Sequence, residues 1–280
     1  MSTVYDVAVV GSRGFLGSAV ATELERRGAH VGRFTKDHPF TGGAATVVWA
    51  AGHVTPADTT RADQAIGDLA SALNAARRSG RVPHVVLLSS GGAVYGPPAI
   101  APFRETDEPS PANDYGRVKL AEERLLADQG VPHTVLRISN PYGPAQVSSA
   151  GRAVGGQGVV GHWLAAIRTG QPITLFGDGS AVRDYVYVDD VADAIATATE
   201  RRHEGLINVG SGVGTSLAQL LGVVQKTVAP HPVEVRSEPA RGVDPVAAWL
   251  GVDRAAQHLG WRATTSLEDG LARTWDAVRP

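Results

Sequence analysis

The chain has 280 residues, 26 Lys and Arg against 28 Asp and Glu, a formal net charge of −2 and no cysteine. That excludes a disulfide scaffold, a thiolate metal cluster and a cysteine nucleophile, and the near-neutral balance gives no electrostatic footprint for nucleic acid or an anionic membrane. With 43% hydrophobic and 19% charged residues the chain can bury a large core. The first apolar run ends at Val10 before GSRG, and no stretch nears the roughly 20 apolar residues of a membrane span, so a cytoplasmic protein is expected.

Short apolar, β-branched runs alternate with amphipathic stretches. The runs are Val4 to Val10, His30 to Phe34, Thr46 to Ala51, His84 to Ser90 and His133 to Ser139. Helical patterns cover Phe15 to Arg27, about Asp58 to Ser79, and Asp114 to Gln129. This alternation predicts an α/β fold, a doubly wound parallel sheet covered on both faces. The link between the second and third runs holds Pro39, Gly42 and Gly43 and is too short for a crossover helix.

Beyond Pro141 the pattern is mixed. Gly143 to Gly161, rich in Gly, Ser and Ala, is expected to be a mobile loop, a lid or an ordinary surface loop. Helices are expected at Asp189 to Arg201, Leu217 to Val228 and Leu267 to Val278, and strands at Leu206 to Gly210 and Val233 to Arg236. The expected organisation is a main domain over residues 1–140 and a smaller mixed α/β subdomain over 141–280, with later segments returning to the sheet.

The first strand runs into GSRGFLG, placing Gly11, Gly14 and Gly17 before an amphipathic helix. In that context glycines serve a tight turn, close approach of backbone to a pyrophosphate, and helix-on-strand packing, with the anion at a helix N-terminus. An acidic residue on the ribose is expected at the end of the second strand for NAD. Here Arg33 stands near that point and Arg13 in the glycine loop, two guanidinium groups suited to a 2′-phosphate, so NADP(H) is the expected cofactor. The competing reading of each is a solvated surface arginine.

Tyr115 and Lys119, in DYGRVKLAEERLL, are four residues apart and share a helix face. An ammonium beside a phenol favours the phenolate, which suits a general acid/base. Only three lysines occur, Lys36, Lys119 and Lys226, so positive charge is otherwise carried by arginine.

With these motifs, the chain resembles the extended short-chain dehydrogenase/reductase family, in its group of nucleotide-sugar epimerases, dehydratases and ketoreductases. The resemblance rests on GSRGFLG, VVWAAG, LLSSGGAVYG, YGRVK, RISNPYGP, GDGSAVRDYVYVDDVADAI, and LGW followed by SLEDGL. It implies a Rossmann cofactor domain, a sugar-nucleotide subdomain and a homodimer built through the helices bearing Tyr115 and Asp58 to Ser79. It further implies cofactor contacts from Phe15, Leu16, Ala50, Ala51 and Gly52, an acid/base role for Tyr115 with Lys119 as partner, and substrate diphosphate contacts from Asn140, Arg183 and Arg241. Asp189 and Asp190, at the head of a helix, are expected to be N-terminal caps.

The family's Ser or Thr, four residues before the tyrosine of VYG, is here Gly91. Ser90 is the expected substitute, with Ser89 the alternative. Gly92 and Ala93 stand where dehydratases carry an acid and a base, and the absent cysteine excludes the fucose-synthase chemistry. Hydride transfer remains. It implies an NADPH-dependent reductase of a nucleotide-linked 4-keto-6-deoxysugar, with an NAD-dependent nucleotide-sugar 4-epimerase and a non-catalytic NADP(H) sensor as alternatives.

Overall fold

The computed structural model describes residues 5–52, 54–56, 58–78, 80, 82–146, 158–240 and 247–279. Its first half runs β1 (Tyr5–Val10), α1 (Phe15–Arg26), β2 (Val31–Phe34), β3 (Ala44–Trp49), α2 (Ala62–Arg78), β4 (His84–Ser90), the single turn α3 (Gly91–Val94), α4 (Asp114–Gln129) and β5 (His133–Ile138). Then follow β6 (Asn140–Tyr142), α5 (Val159–Arg168), β7 (Ile173–Phe176), β8 (Val182–Arg183), β9 (Tyr185–Tyr187), α6 (Val188–Arg201) and β10 (Gly205–Val209). The chain closes with β11 (Thr215–Ser216), α7 (Leu217–Val228), β12 (Val235–Glu238), β13 (Ala247–Ala248) and α8 (Leu267–Val278).

One parallel sheet has the strand order β10-β5-β4-β3-β1-β2. Its strands are apolar throughout because both faces are covered. Val7, Val9, Val48, Val86 and Leu136 pack under α1 and α6, with Val20, Leu24, Val191 and Ile195. The alternate residues Ala8, Val10, Val47, Val85, Leu87 and Val135 pack under α2 and α4, with Leu69, Leu73, Ala76 and Leu126. This is the Rossmann-type α/β fold. No helix intervenes between β2 and β3, where Gly42 and Gly43 take φ of +113° and +88°. The winding reverses between β1 and β3, opening a crevice at the carboxyl ends of those strands.

Residues beyond 140 contribute directly to this sheet. β10 pairs with β5, Val209 opposite Ile138, and α6 packs on α1. The remainder surrounds a second core of Tyr142, Trp163, Leu164, Ile173, Tyr187, Leu220, Val224, Leu271 and Trp275. Short strand pairs border it: β7 with β12, β6 with β9, and β8 between β11 and β13.

Within the glycine-rich stretch from Gly143 to Gly161, Pro144–Gln146 is a 3-10 turn and Val159 opens α5, while residues 147–157 lie outside the described residues. Asp189 and Asp190 correct an expectation. Tyr187 is the N-cap residue of α6, and both aspartates lie in its first turn. Asp190 binds outward instead: Oδ1 accepts from Thr264 N and Oγ1 at 3.3 and 2.9 Å and Oδ2 from Thr265 N at 2.9 Å. It ties α6 to the segment leading into α8.

Candidate active site

β1 hands over to α1 through Gly11, at φ +90°. A Cβ there would lie 2.6 Å from the Ala50 carbonyl oxygen, and one on Gly17 would lie 2.2 Å from the Gly11 carbonyl oxygen, so neither position accepts a side chain without moving backbone. α1 starts at Gly14 with no side-chain cap and no acidic residue in its first turn. Its first N–H groups and the positive end of its dipole therefore suit an anion. A cleft of about 980 Å³ opens here, and its walls include Gly11, Arg13, Gly14, Ala50, Ala51 and Gly52. Phe15 and Leu16 begin α1, and their side chains pack against the second core.

Arg33 lies apart from that cleft. Strand alternation buries Phe34 and turns Arg33 toward α1, where its Nε and Nη2 donate to Glu25 Oε1 and Oε2 at 2.9 and 2.8 Å. The chain meets the cleft two residues later, at Thr35, Lys36 and Asp37. Arg13 Nη1 is 3.7 Å from Asp37 Oδ2. Thr35 and Lys36 are cleft residues that sequence reasoning missed; the signal was the end of the strand itself rather than the nearest arginine.

On the other side of the crevice, α4 is capped by Asn113, which accepts from Gly116 N at 2.8 Å, and ends at Gly130 in the left-handed conformation. Tyr115, the second residue of α4, packs near Val54, Ile66 and Val118. Lys119 is buried, and its Nζ donates to Glu122 Oε2 at 2.9 Å and to the Leu88 carbonyl at 3.3 Å. Burial opposes the lysine's charge, but Glu122, then Tyr115 and Glu123, outweigh it and hold the ammonium above its ordinary range.

Behind this pair lies a buried polar chain. Arg137 donates from Nε and Nη2 to Glu123 at 3.0 and 2.7 Å, Ser89 Oγ donates to Glu123 at 2.5 Å, and the guanidinium lies 4.5 Å from the Tyr95 ring centroid. Tyr95 in turn donates to Asn208 Oδ1 at 2.9 Å. Ser89 is thus committed to Glu123. Ser90 is half-buried at the end of β4, and its hydroxyl makes no hydrogen bond among the described residues. At Gly91 a Cβ would lie 2.7 Å from Leu250 Cδ1, whereas beside Gly92 there is open space.

Asn140 on β6 donates from Nδ2 to the Asp184 carbonyl at 3.0 Å, joining β6 to β9. Arg183 on β8 is half-buried and donates to the Val182 carbonyl at 2.8 Å. Its neighbour Asp184 is fully buried and accepts from Ser211 N and Oγ, Gly212 N and Leu250 N. Burial pushes its carboxyl upward against those bonds. Arg241 lies outside the described residues.

A glycine turn at the switch point of a doubly wound sheet marks a dinucleotide-binding α/β protein, and a tyrosine and lysine one helical turn apart beside it narrow the class to the extended short-chain dehydrogenase/reductases. The model of the NAD dependent epimerase/dehydratase family matches residues 42–210, and the chain belongs to that family. Among its relatives are a UDP-glucose 4-epimerase of Mycolicibacterium smegmatis, 38% identical over 73% of this chain and 65% of that protein, and a dTDP-4-dehydro-6-deoxyglucose reductase of Escherichia coli, 33% identical over 70% of this chain and 61% of that one. The matches thus span just under two thirds of those relatives' length. A UDP-glucose 4-epimerase of Thermotoga maritima, solved with UDP-glucose, superposes with a TM-score of 0.85 at 28% identity over 97% of both chains. The Thermus thermophilus UDP-glucose 4-epimerase, solved with NAD, gives 0.82 at 28% identity over 97% of this chain and 98% of that one. No described helix is long and apolar enough to cross a membrane.

Proposed function

We propose that the protein is an NADPH-dependent reductase of a nucleotide-linked 4-keto-6-deoxysugar. The observation that carries this is the ribose end of the cleft, where Thr35 and Lys36 follow β2 and Arg13 faces them from the glycine loop. Cations there suit a 2′-phosphate, and a threonine rather than a carboxylate follows the strand, the nearest acid at the cleft being Asp37, 3.7 Å from Arg13. The glycine cradle and the uncapped start of α1 fit a dinucleotide pyrophosphate. When bound, the nicotinamide supplies a hydride to the carbonyl carbon. Tyr115 gives its phenolic proton to the carbonyl oxygen, and Lys119 orients the phenol and stabilises the phenolate left behind. Ser90 is assigned the hydrogen bond to the reacting oxygen. Asn140, Arg183 and Arg241 are assigned to the substrate diphosphate, so Arg183→Ala should raise KM at least tenfold with little change in kcat.

The test is consumption of NADPH by the purified protein with a dTDP-4-keto-6-deoxyhexose. Turnover by the wild type and its loss in Tyr115→Phe are expected. No consumption, or full activity in Tyr115→Phe, overturns the assignment. A nucleotide-sugar 4-epimerase is the second reading, favoured by Asp37, a carboxylate at the same cleft that could bond a ribose hydroxyl. NAD retained through purification would favour it. Dimerisation through α2 and α4 is also proposed; these helices flank a mixed groove of Ile66, Leu120, Leu125, Arg117 and Asp128, and light scattering should return twice the 29.2 kDa chain mass.

A further inference from the structure

Lys119 is held by a carboxylate that the proposed reaction does not use. Glu122 is 1% exposed; its Oε2 takes the 2.9 Å bond from Lys119 Nζ, while its Oε1 is buried with no partner among the described residues. Burying a carboxylate on one hydrogen bond is costly, and an apolar side chain of similar volume would pack there without that cost. Packing alone is therefore a poor account of Glu122.

The other charges around the pair are already matched. Glu123, next along α4, is neutralised by two bonds from Arg137 on β5 and one from Ser89 on β4. β4 otherwise offers only the Leu88 carbonyl, and α3 is Gly-Gly-Ala-Val, with nothing to titrate. α2 buries Ala65, Leu69, Leu73 and Ala76, so Asp63, Asp68, Arg77 and Arg78 stay off its inward face. Glu122 is left as the hydrogen-bonded countercharge of Lys119, with Tyr115 and, more weakly, the Arg137-paired Glu123 the other titratable groups acting on that ammonium.

Resting on the reductase assignment, we propose that Glu122 is a positioning residue: it fixes Lys119 and offsets the ammonium's field at the Tyr115 phenol, setting the site to give a proton rather than take one. A lone ammonium one turn from a phenol pulls it toward the phenolate. An ammonium with a carboxylate at 2.9 Å acts as a dipole, whose effect falls off more steeply with distance. A reductase needs the phenol protonated when the ketone arrives, so this damping favours its direction of proton transfer.

The near-ultraviolet phenolate band, recorded as wild type minus Tyr115→Phe, isolates Tyr115 among the 6 tyrosines without any substrate. The same difference taken in the Glu122→Gln background should place the Tyr115 midpoint lower by roughly one pH unit. The alkaline limb of NADPH-dependent reduction should move down by the same amount. Glu122→Asp, whose shorter carboxylate contacts Nζ less closely, covers the case in which the amide fails to fold, and a smaller shift of the same sign is expected. A midpoint that stays put or rises overturns the inference. A midpoint that falls in a protein that reduces no keto-sugar supports Glu122 and overturns the reductase assignment instead.

Discussion

Gly91 stands where the family resemblance implies a serine or threonine, and the side chain that fills the space beside it lies far away in sequence. Leu250 is buried with Tyr95, Phe103 and Ala248, and its methyl carbons would stand 2.7 and 2.8 Å from any Cβ on Gly91. A serine restored there must displace a side chain that has little room to move. Overpacking of this kind costs about 1–3 kcal/mol, so Gly91→Ser should lower unfolding stability by that amount in denaturant titration. Leu250→Val removes one methylene at the contact, and the double variant should recover part of the loss, with a favourable coupling in the double-mutant cycle. Additive costs would show that the two side chains do not meet. The glycine itself was legible in the sequence. Its neighbour was not, because nothing in a local pattern links residue 91 to residue 250. Glu122 is a similar case: its i, i+3 spacing from Lys119 is visible in the chain, but the burial that gives the pair its importance appears only when β4 and α4 are packed together.

Elements whose pattern is set locally were the readable ones. β1, α1, β4, α4, β5, α7 and α8 lie where the apolar runs and amphipathic stretches place them, within a residue or so. The strands β7, β8 and β9, of four, two and three residues, are not legible in the sequence because pairing partners, not periodicity, make them strands. Arg33 illustrates the same limit, since a count along the chain cannot say on which side of β2 a side chain emerges. The α1–α6 contact shows what assembly adds. Arg27, just past α1, donates to Glu23 at 2.7 Å on its own helix and to Asp193 at 2.5 Å and Glu200 at 2.9 Å on α6. Its side chain is 17% exposed, whereas Asp193 and Glu200 are each 49% exposed and can return to water. Arg27→Leu, which keeps an apolar stem against the helices, should therefore cost only about 1–2 kcal/mol. The loss should shrink at high salt in the wild type's comparison with the variant, and an effect above about 4 kcal/mol would mean that the carboxylates are trapped.

At the scale of the whole molecule, the strand ends divide the labour. The carboxyl ends of β1, β3 and β4 carry the glycine turn, Ala50 to Gly52 and Ser90, while the opposite end of the sheet carries a histidine cluster remote from them. His84 opens β4 and is buried; its Nε2 lies 2.9 Å from Thr134 Oγ1 on β5, and that hydroxyl donates to the His203 carbonyl just past α6. Because the threonine's single proton is used there, His84 Nε2 must carry the hydrogen of its own bond. His203 in turn has its ring 5.1 Å from that of His258.

Burial first, then Arg202, His133 and His203 against the opposing pull of Glu204, holds His84 below its ordinary 6.5. Burial, His258 and Arg254 do the same for His203. Both imidazoles are therefore harder to protonate in the folded protein than in the unfolded chain. Their contribution to stability is fully present above about pH 6.5 and is lost as pH falls below it, since the unfolded chain then binds the extra protons. Carboxylates titrate mostly below pH 5, which leaves the window from about 6.5 to 5 to these histidines. Melting temperature at constant ionic strength should be flat from pH 8 to 7 and fall across that window, and the fall should flatten in His84→Asn, His203→Asn. Because the cluster sits at the far end of the sheet from Tyr115, this loss should appear in the melt and leave the pH profile of initial rates unchanged; a wild-type melting temperature that is level down to pH 5 would refute it.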